Sequence, residues 1–113
     1  MNQDLVELPS YEFKSTSVPP TDAIEAYERD GVVSLRGAFS EEWIALLAHG
    51  MEIAISDSLK GDTAFNISTP GEPGFFFYDT FMWQRINQFK RFVFESNVAD
   101  IAANVMRSKG LIF

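Results

Sequence analysis

The strongest helical pattern in the chain spans residues 39–61, FSEEWIALLAHGMEIAISDSLKG. Ser40 is a typical N-cap residue, and the two glutamates after it suit the positive end of a helix dipole. Large apolar side chains then recur at helical spacing: Ile44, Leu47, Met51 and Ile55. This periodicity predicts a long amphipathic helix that stops near Gly61.

Upstream of this helix, the chain has the pattern of a shorter helix followed by a strand. Asp22 and Glu25 have the spacing of a capping box, so we expect a helix that begins at Thr21 or Asp22 and ends at Gly31. The β-branched run that follows predicts a brief strand over residues 32–35.

The first 20 residues differ from the rest of the chain. They show no sustained apolar period, and Pro19 and Pro20 close them. Because proline fixes the backbone and lacks an N–H, we expect residues 1–20 to form an extended arm. Residues 21–113 then form one mostly helical portion.

The C-terminal part combines an aromatic run with two further helical patterns. Residues 75–83 are apolar at nearly every position, which favours a segment buried on both sides, strand-like or irregular. Helices are expected near residues 87–94 and after the N-cap candidate Ser96, and residues 111–113 begin a strand. The inner face of the last helix is predicted to comprise Val98, Ile101, Ala102, Val105 and Met106. The predicted fold class is α+β, mostly helical with short strands.

The composition limits the functions open to the chain. It has 113 residues, a formal net charge of −7 and no cysteine. The lack of cysteine excludes disulfides and thiolate chemistry, and the negative charge argues against nucleic-acid binding. No apolar run approaches the roughly 20 residues that span a bilayer, and the N-terminus lacks the pattern of a secretory signal. We therefore expect a soluble cytoplasmic protein without a membrane span.

Few residues in the chain suit catalysis. His49 is the single histidine of the sequence, which excludes a metal site with two histidine ligands. On a helical wheel it lies away from the apolar stripe, which predicts a solvent-facing imidazole. We assign no catalytic, metal-binding or cofactor-binding residue from the sequence.

The aromatic run has two interpretations. Adjacent large apolar side chains are usually buried, either in a core or between domains. Alternatively, the run lines a site for an apolar substrate, in which Tyr78 and Trp83 supply polar tips and Arg85 binds a carboxylate or phosphate. The residues alone do not separate these interpretations.

Two parts of the sequence resemble the opening third of the phytanoyl-CoA dioxygenase family. Residues 26–40, AYERDGVVSLRGAFS, follow the family's order of helix, glycine turn, strand and newly capped helix. The second part is similar to what bacterial members carry just before the catalytic core, and it comprises residues 77–83 (FYDTFMW), 92–96, 99–103 and Met106. Together the resemblance covers about residues 22–113.

This resemblance implies an oxygenase that depends on iron(II) and 2-oxoglutarate and is built on a double-stranded β-helix, or jelly roll. In the family, a His-x-Asp motif and a distant histidine hold the iron, and a later arginine binds 2-oxoglutarate. No position of this chain matches those residues. The resemblance therefore implies a truncated N-terminal fragment, inactive by itself, that would buttress the absent jelly-roll core. The intact protein would hydroxylate a small or apolar organic substrate.

Two other functions remain open. The chain could be a complete small interaction module that binds itself or a partner through its Phe-rich segment. A carrier of acyl ligands is the other, and it would need a closed apolar cavity. If the apolar faces normally pack against an absent barrel, the isolated chain should cover them by forming a homo-oligomer through the aromatic segment.

Overall fold

The computed structural model describes residues 7–14, 17–57, 65–67, 71–74 and 76–112. Its elements in chain order are β1 (Ser10–Glu12), α1 (Thr21–Asp30), β2 (Ser34–Arg36), α2 (Glu41–Asp57), β3 (Phe65–Ile67), β4 (Phe76–Tyr78), α3 (Met82–Arg85), α4 (Asn87–Glu95) and α5 (Val98–Met106). The described part of the chain is mostly helical, as predicted. It forms two compact units: unit 1 comprises the described residues up to Ser40 and from Asn97 to Ile112, and unit 2 comprises those from Glu41 to Ser96.

Unit 1 is built around Phe13, whose side chain is 3% exposed. Ile101 and Val105 of α5 complete the buried cluster, and partly buried side chains of α1, β2 and the following turn pack against it. Helix α1 contacts α5, and the buried residues of α1 are Ala23 and Ala26. The core of this unit therefore draws on both ends of the described chain.

The sheet of unit 1 joins the N-terminal arm to the chain that follows α1. Strands β1 and β2 are parallel, with Glu12 opposite Arg36, and the N–H of Phe13 donates to the carbonyl oxygen of Arg36 at 2.8 Å. The sequence predicted no strand within the first 20 residues. It placed the later strand at residues 32–35, whereas β2 begins two residues later, at Ser34, and ends one residue later, at Arg36. Three-residue strands are too short to show a period, and their pairing depends on residues distant in the chain.

The two ends of α1 differ in how well they were predicted. The predicted end is confirmed, because Gly31 takes the left-handed conformation (φ 75°) and its N–H donates to the carbonyl oxygen of Tyr27 at 2.7 Å. The predicted capping box is wrong. Pro20 is the N-cap residue without a side-chain cap, and its carbonyl oxygen accepts the N–H groups of Ala23 and Ile24. Both predicted capping residues lie inside the helix.

Unit 2 is organised by the packing of α2 against α4. Gly50 of α2 is buried, and a Cβ at this position would lie 3.1 Å from both Cβ of Gln88 and Cε2 of Phe89. Trp43 meets Phe92 edge-on, with ring centroids 5.8 Å apart. Glycine thus permits a close approach that places the aromatic rings in contact.

The predicted helix α2 is confirmed, but its predicted stripe is not the buried face. Ile44 is 55% exposed, and Met51 and Ile55 are each 36% exposed. The buried residues of α2 are Gly50 and Ala54. Because the helix is apolar on two faces, the spacing of its large side chains could not identify the face that packs. The close approach of α4 selects the small residues.

The aromatic run is more exposed than predicted. Strand β4 pairs antiparallel with β3, and Phe76, Tyr78 and Phe81 are 58%, 48% and 58% exposed. The expectation of burial on both sides is wrong for these three residues. A two-stranded ribbon leaves its faces open unless a further layer covers them, and Phe81 lies in the turn after the ribbon. Phe75 and the predicted helix stop at Gly61 lie outside the described residues.

Ser96 marks the junction between α4 and α5, which form where the sequence predicted helices. It was predicted to cap α5, but its hydroxyl donates to the carbonyl oxygen of Phe92 and so closes α4, while Asn97 is the N-cap residue of α5. This correction moves the start of α5 by one residue.

The inner face of α5 is narrower than predicted. Ile101 and Val105 are buried, whereas Met106 is 52% exposed. The predicted strand after the helix is not formed at Leu111 and Ile112, and Phe113 lies outside the described residues. A strand at this position would need a partner strand beside it.

Candidate functional site

The three candidate substrate-binding residues lie on the segment that runs from β4 into α3. Arg85 forms an ion pair within this segment, since its Nη2 lies 2.5 Å from Oδ2 of Asp79. The Asp79 side chain is 0% exposed, and its Oδ1 accepts the N–H of Thr80 at 2.7 Å. A buried carboxylate needs such partners to offset the loss of hydration. The ion pair therefore stabilises the turn. The sequence interpretation, in which Arg85 binds a carboxylate or phosphate of a ligand, did not include this pair.

Trp83 and Tyr78 have different surroundings. The Trp83 ring packs edge-on against Phe94, with centroids 5.7 Å apart, and its Nε1 is buried without a hydrogen-bond partner among the described residues. Tyr78 is 48% exposed and lies 5.9 Å from the ring of Phe76. Trp83 thus contributes packing, and Tyr78 is the candidate most accessible to a ligand.

Asp79 is the residue of this segment that sequence reasoning missed. It is a carboxylate inside a nearly continuous apolar run, between Tyr78 and Phe81. A charge in such a run must find a partner when it is buried, and Arg85 is the nearest cation that follows it. That signal was present in the sequence and would have predicted the pair.

His49 is exposed, as predicted. Its Nδ1 lies 3.1 Å from the amide Nε2 of Gln88, which links α2 to α4. Beside it, a cavity of about 320 Å³ is lined by His49, Glu52, Ile53, Ser56 and Asp57. Another cavity of unit 2, of about 290 Å³, is lined by Glu42, Trp43, Leu46 and Arg91. Both are lined by residues other than the three candidates on the aromatic segment.

Unit 1 contains an apolar groove of about 300 Å³ between α1, β2 and α5. Tyr27, Val33, Leu35, Val105 and Met106 form most of its wall. Ligand pockets for small molecules usually measure about 300–1,000 Å³ and enclose most of the ligand. This groove is at the lower limit and open, so it does not provide the closed cavity that an acyl-ligand carrier needs.

An exposed ion pair lies at the end of α1. Nη2 of Arg29 lies 2.9 Å from Oδ2 of Asp30. The hydrogen bond from Arg29 lowers the pKa of the Asp30 carboxyl, and the same bond raises the pKa of Arg29. Exposed pairs of this kind contribute little to stability and do not indicate a site.

The described residues contain neither a metal-binding group nor a membrane-spanning helix. No group of three or more His, Cys, Asp or Glu side chains there is arranged to hold a metal ion. None of the helices described has the length and apolar character to cross a membrane.

Comparison with known proteins assigns no family to the chain. No family model, no curated protein and no solved structure matches the chain. The resemblance to phytanoyl-CoA dioxygenases therefore stays a prediction from the sequence.

Proposed function

We propose that this chain is the N-terminal helical part of an iron(II)- and 2-oxoglutarate-dependent oxygenase of the phytanoyl-CoA dioxygenase type. In the intact protein it packs against the jelly-roll core, and that core hydroxylates a small or apolar organic substrate. The chain by itself is inactive and serves as a docking element.

The observation that carries this proposal is the balance between buried and exposed apolar side chains. Among the described residues, seven hydrophobic side chains are buried, three of which are alanines, and 12 large hydrophobic side chains are exposed. No large side chain described is less than 2% exposed. Soluble monomers rarely expose extended apolar surface, so a chain with this balance is suited to packing against another protein layer.

The residues of this chain do not fit the iron that the resemblance implies. An iron site of that type needs two histidines and a carboxylate on one face of the metal. The sequence has His49 as its one histidine, and the residues after it are Gly50 and Met51 rather than a His-x-Asp arrangement. The proposal therefore assigns the iron and 2-oxoglutarate to other residues of the intact protein.

The coding sequence beyond the codon for Phe113 tests the proposal. We expect an in-frame continuation that encodes His-x-Asp and a later histidine. Protein from the whole reading frame should consume 2-oxoglutarate when iron(II) is supplied, and the 113-residue chain should not. A reading frame that closes at Phe113, together with a stable monomeric chain, would overturn the proposal.

A second candidate function is a self-associating interaction module. It is favoured by the exposure of Phe76, Tyr78 and Phe81 along one strand and the turn after it. In this case a closed reading frame would accompany a homo-oligomer at micromolar concentration. Sedimentation of the wild-type chain beside Phe77→Asp and Phe81→Asp variants tests it, since a charge in the contact should dissociate the oligomer.

A further inference from the structure

A second apolar surface in unit 2 lies on α2, away from the face that packs on α4. We call it the α2 seam, and its members are Ile44, Ala48, Met51 and Ile55. Ile44 is 55% exposed, Met51 is 36% exposed, and Ala48 is also exposed. The members are separated by four, three and four residues, which is the spacing of a coiled-coil seam.

We propose that the α2 seam binds the α2 seam of a second copy of this chain in antiparallel orientation. The spacing of four, three and four residues is the same in both directions along the helix. An antiparallel pair can therefore place Ile44 opposite Ile55 of the second copy and Ala48 opposite Met51 of the second copy. Each contact then occurs twice, as a two-fold interface between identical chains requires.

The sizes of the side chains suit this register. At the centre, the small Ala48 faces the long, flexible Met51 of the second copy, so a knob meets a hole on both sides of the two-fold axis. At the ends, Ile44 faces Ile55 of the second copy, and both are large enough to close the seam. A parallel alignment would instead set Ala48 against Ala48 and leave a gap in the middle.

The charges on α2 favour the same arrangement. Every acidic residue of α2 lies outside the seam, and Glu42 and Asp57 lie on the opposite side of the helix. In the antiparallel register, Glu52 lies level with Leu47 of the second copy, and the two Glu52 residues are about five residues, or roughly 7.5 Å, apart along the axis. A parallel pair would place Glu41 and Glu52 each beside its own copy, where like charges repel. Charge therefore selects the antiparallel register.

The seam is short, and this limits its affinity. The seam spans twelve residues, from Ile44 to Ile55, and extends for about 16 Å. A contact of this length buries less than the roughly 800 Å² per partner of a standard interface. We expect a weak dimer with a dissociation constant on the order of 100 μM. Because the chain is acidic, added salt should strengthen the dimer by screening the repulsion between the copies. This inference does not depend on the proposed oxygenase or on the aromatic segment.

Sedimentation equilibrium of the full 113-residue chain tests the inference. The Ile44→Asp variant should raise the dissociation constant of the dimer by at least about tenfold, because it places a charge in the contact. Ala45→Asp is the matched control: it adds the same charge one residue away, outside the seam, and should leave dimerisation nearly unchanged. Circular dichroism should show equal helix content in both variants, since both positions are exposed.

Introduced cysteines test the orientation and do not depend on the aspartate variants. The chain has no cysteine, so any disulfide must come from the substituted position. A mixture of Ile44→Cys and Ile55→Cys proteins should oxidise to a cross-linked heterodimer, whereas each protein alone should not, because a disulfide needs Cα atoms within about 7 Å.

The opposite results overturn the inference. They are a chain that stays monomeric up to about ten times the expected dissociation constant, equal effects of Ile44→Asp and Ala45→Asp, or efficient cross-linking of Ile44→Cys protein alone. A dimer that Phe81→Asp dissociates and Ile44→Asp does not would assign association to the aromatic segment and would also overturn it.

Discussion

Unit 1 encloses the phenylalanine on which its core depends. Unit 2 carries most of the chain's phenylalanines, and three of those that the structure describes are exposed. Phe13 is 3% exposed in unit 1, while Phe76, Phe81 and Phe94 in unit 2 are 58%, 58% and 66% exposed. The difference depends on whether a second layer of structure covers the ring, and not on the residue type. In unit 1 two helices and a sheet converge on one ring. The exposed rings of unit 2 lie on a ribbon, in the turn after it and on the outer side of a helix. A large apolar side chain is buried only where a second layer is available to cover it.

The largest expected effect tests this contrast at its centre. Phe13→Ala should lower the free energy of unfolding by about 3–5 kcal/mol, because it removes a ring from a packed cluster. Chemical denaturation measures the loss, and amide hydrogen exchange should locate it in α1 and α5. The matched control, Phe76→Ala in the exposed ribbon, should change stability by about 0.5 kcal/mol or less. Equal losses from the two substitutions would remove the contrast between the units.

The next effect concerns the buried carboxylate of Asp79 and its ion pair with Arg85. Arg85→Met should destabilise unit 2 by about 2–4 kcal/mol, because it removes the guanidinium from a fully buried carboxylate of Asp79. Urea denaturation measures it. Arg91→Met is the control, since Arg91 and Glu95 form an exposed pair on α4 and its loss should cost about 0.5 kcal/mol. If both variants lose the same stability, Asp79 is not held by this pair.

A smaller effect is expected at the turn between α1 and β2. Gly31→Ala should lower the stability of unit 1 by about 1 kcal/mol, because φ of 75° is unfavourable for a residue with a Cβ. Gly110→Ala is the matched control in the same unit, where an added Cβ meets open space without a positive φ. Thermal unfolding compares the two. A neutral Gly31→Ala would argue against the left-handed cap.

The smallest effect is expected at the contact between α2 and α4, where two contributions to the change in stability have opposite signs. Helix propensity alone predicts that Gly50→Ala stabilises α2 by about 1 kcal/mol. The added Cβ would lie 3.1 Å from both Cβ of Gln88 and Cε2 of Phe89. We therefore expect a net loss of stability of about 0.5 kcal/mol instead. The double variant Gly50→Ala with Phe89→Leu should recover part of the loss if the ring causes it. Stabilisation by the single variant would show that the two helices are less closely packed.

Much of the helical structure could be predicted from the sequence, but its orientation could not. The positions of α1, α2, α4 and α5 followed from local signals such as Gly31 and the apolar period after Ser40. The same period predicted that Ile44 and Met51 belong to the apolar stripe that packs, but both are exposed. In a helix that is apolar on two faces, periodicity gives the element but not the direction in which it packs.

The candidate site shows the same limit in its chemistry. Tyr78, Trp83 and Arg85 were grouped because their side chains have apolar bodies and polar tips, and all three do lie on the segment from β4 to α3. The position of Asp79 within the apolar run favours a pair with Arg85. Sequence could not show that the Trp83 ring packs on Phe94, since that contact depends on how α4 packs against α3.

The sequence by itself determined the positions of α1, α2, α4 and α5, the end of α1, the exposure of His49 and the absence of a second histidine within these 113 residues. Those features depend on residue identity and on neighbours within about one helical turn. Only the tertiary structure decided that Phe13 is a core residue, that β1 pairs with β2, and that Gly50 rather than Ile44 faces α4. Each of these depends on contacts between segments distant in the chain, where the space available selects which side chains are buried.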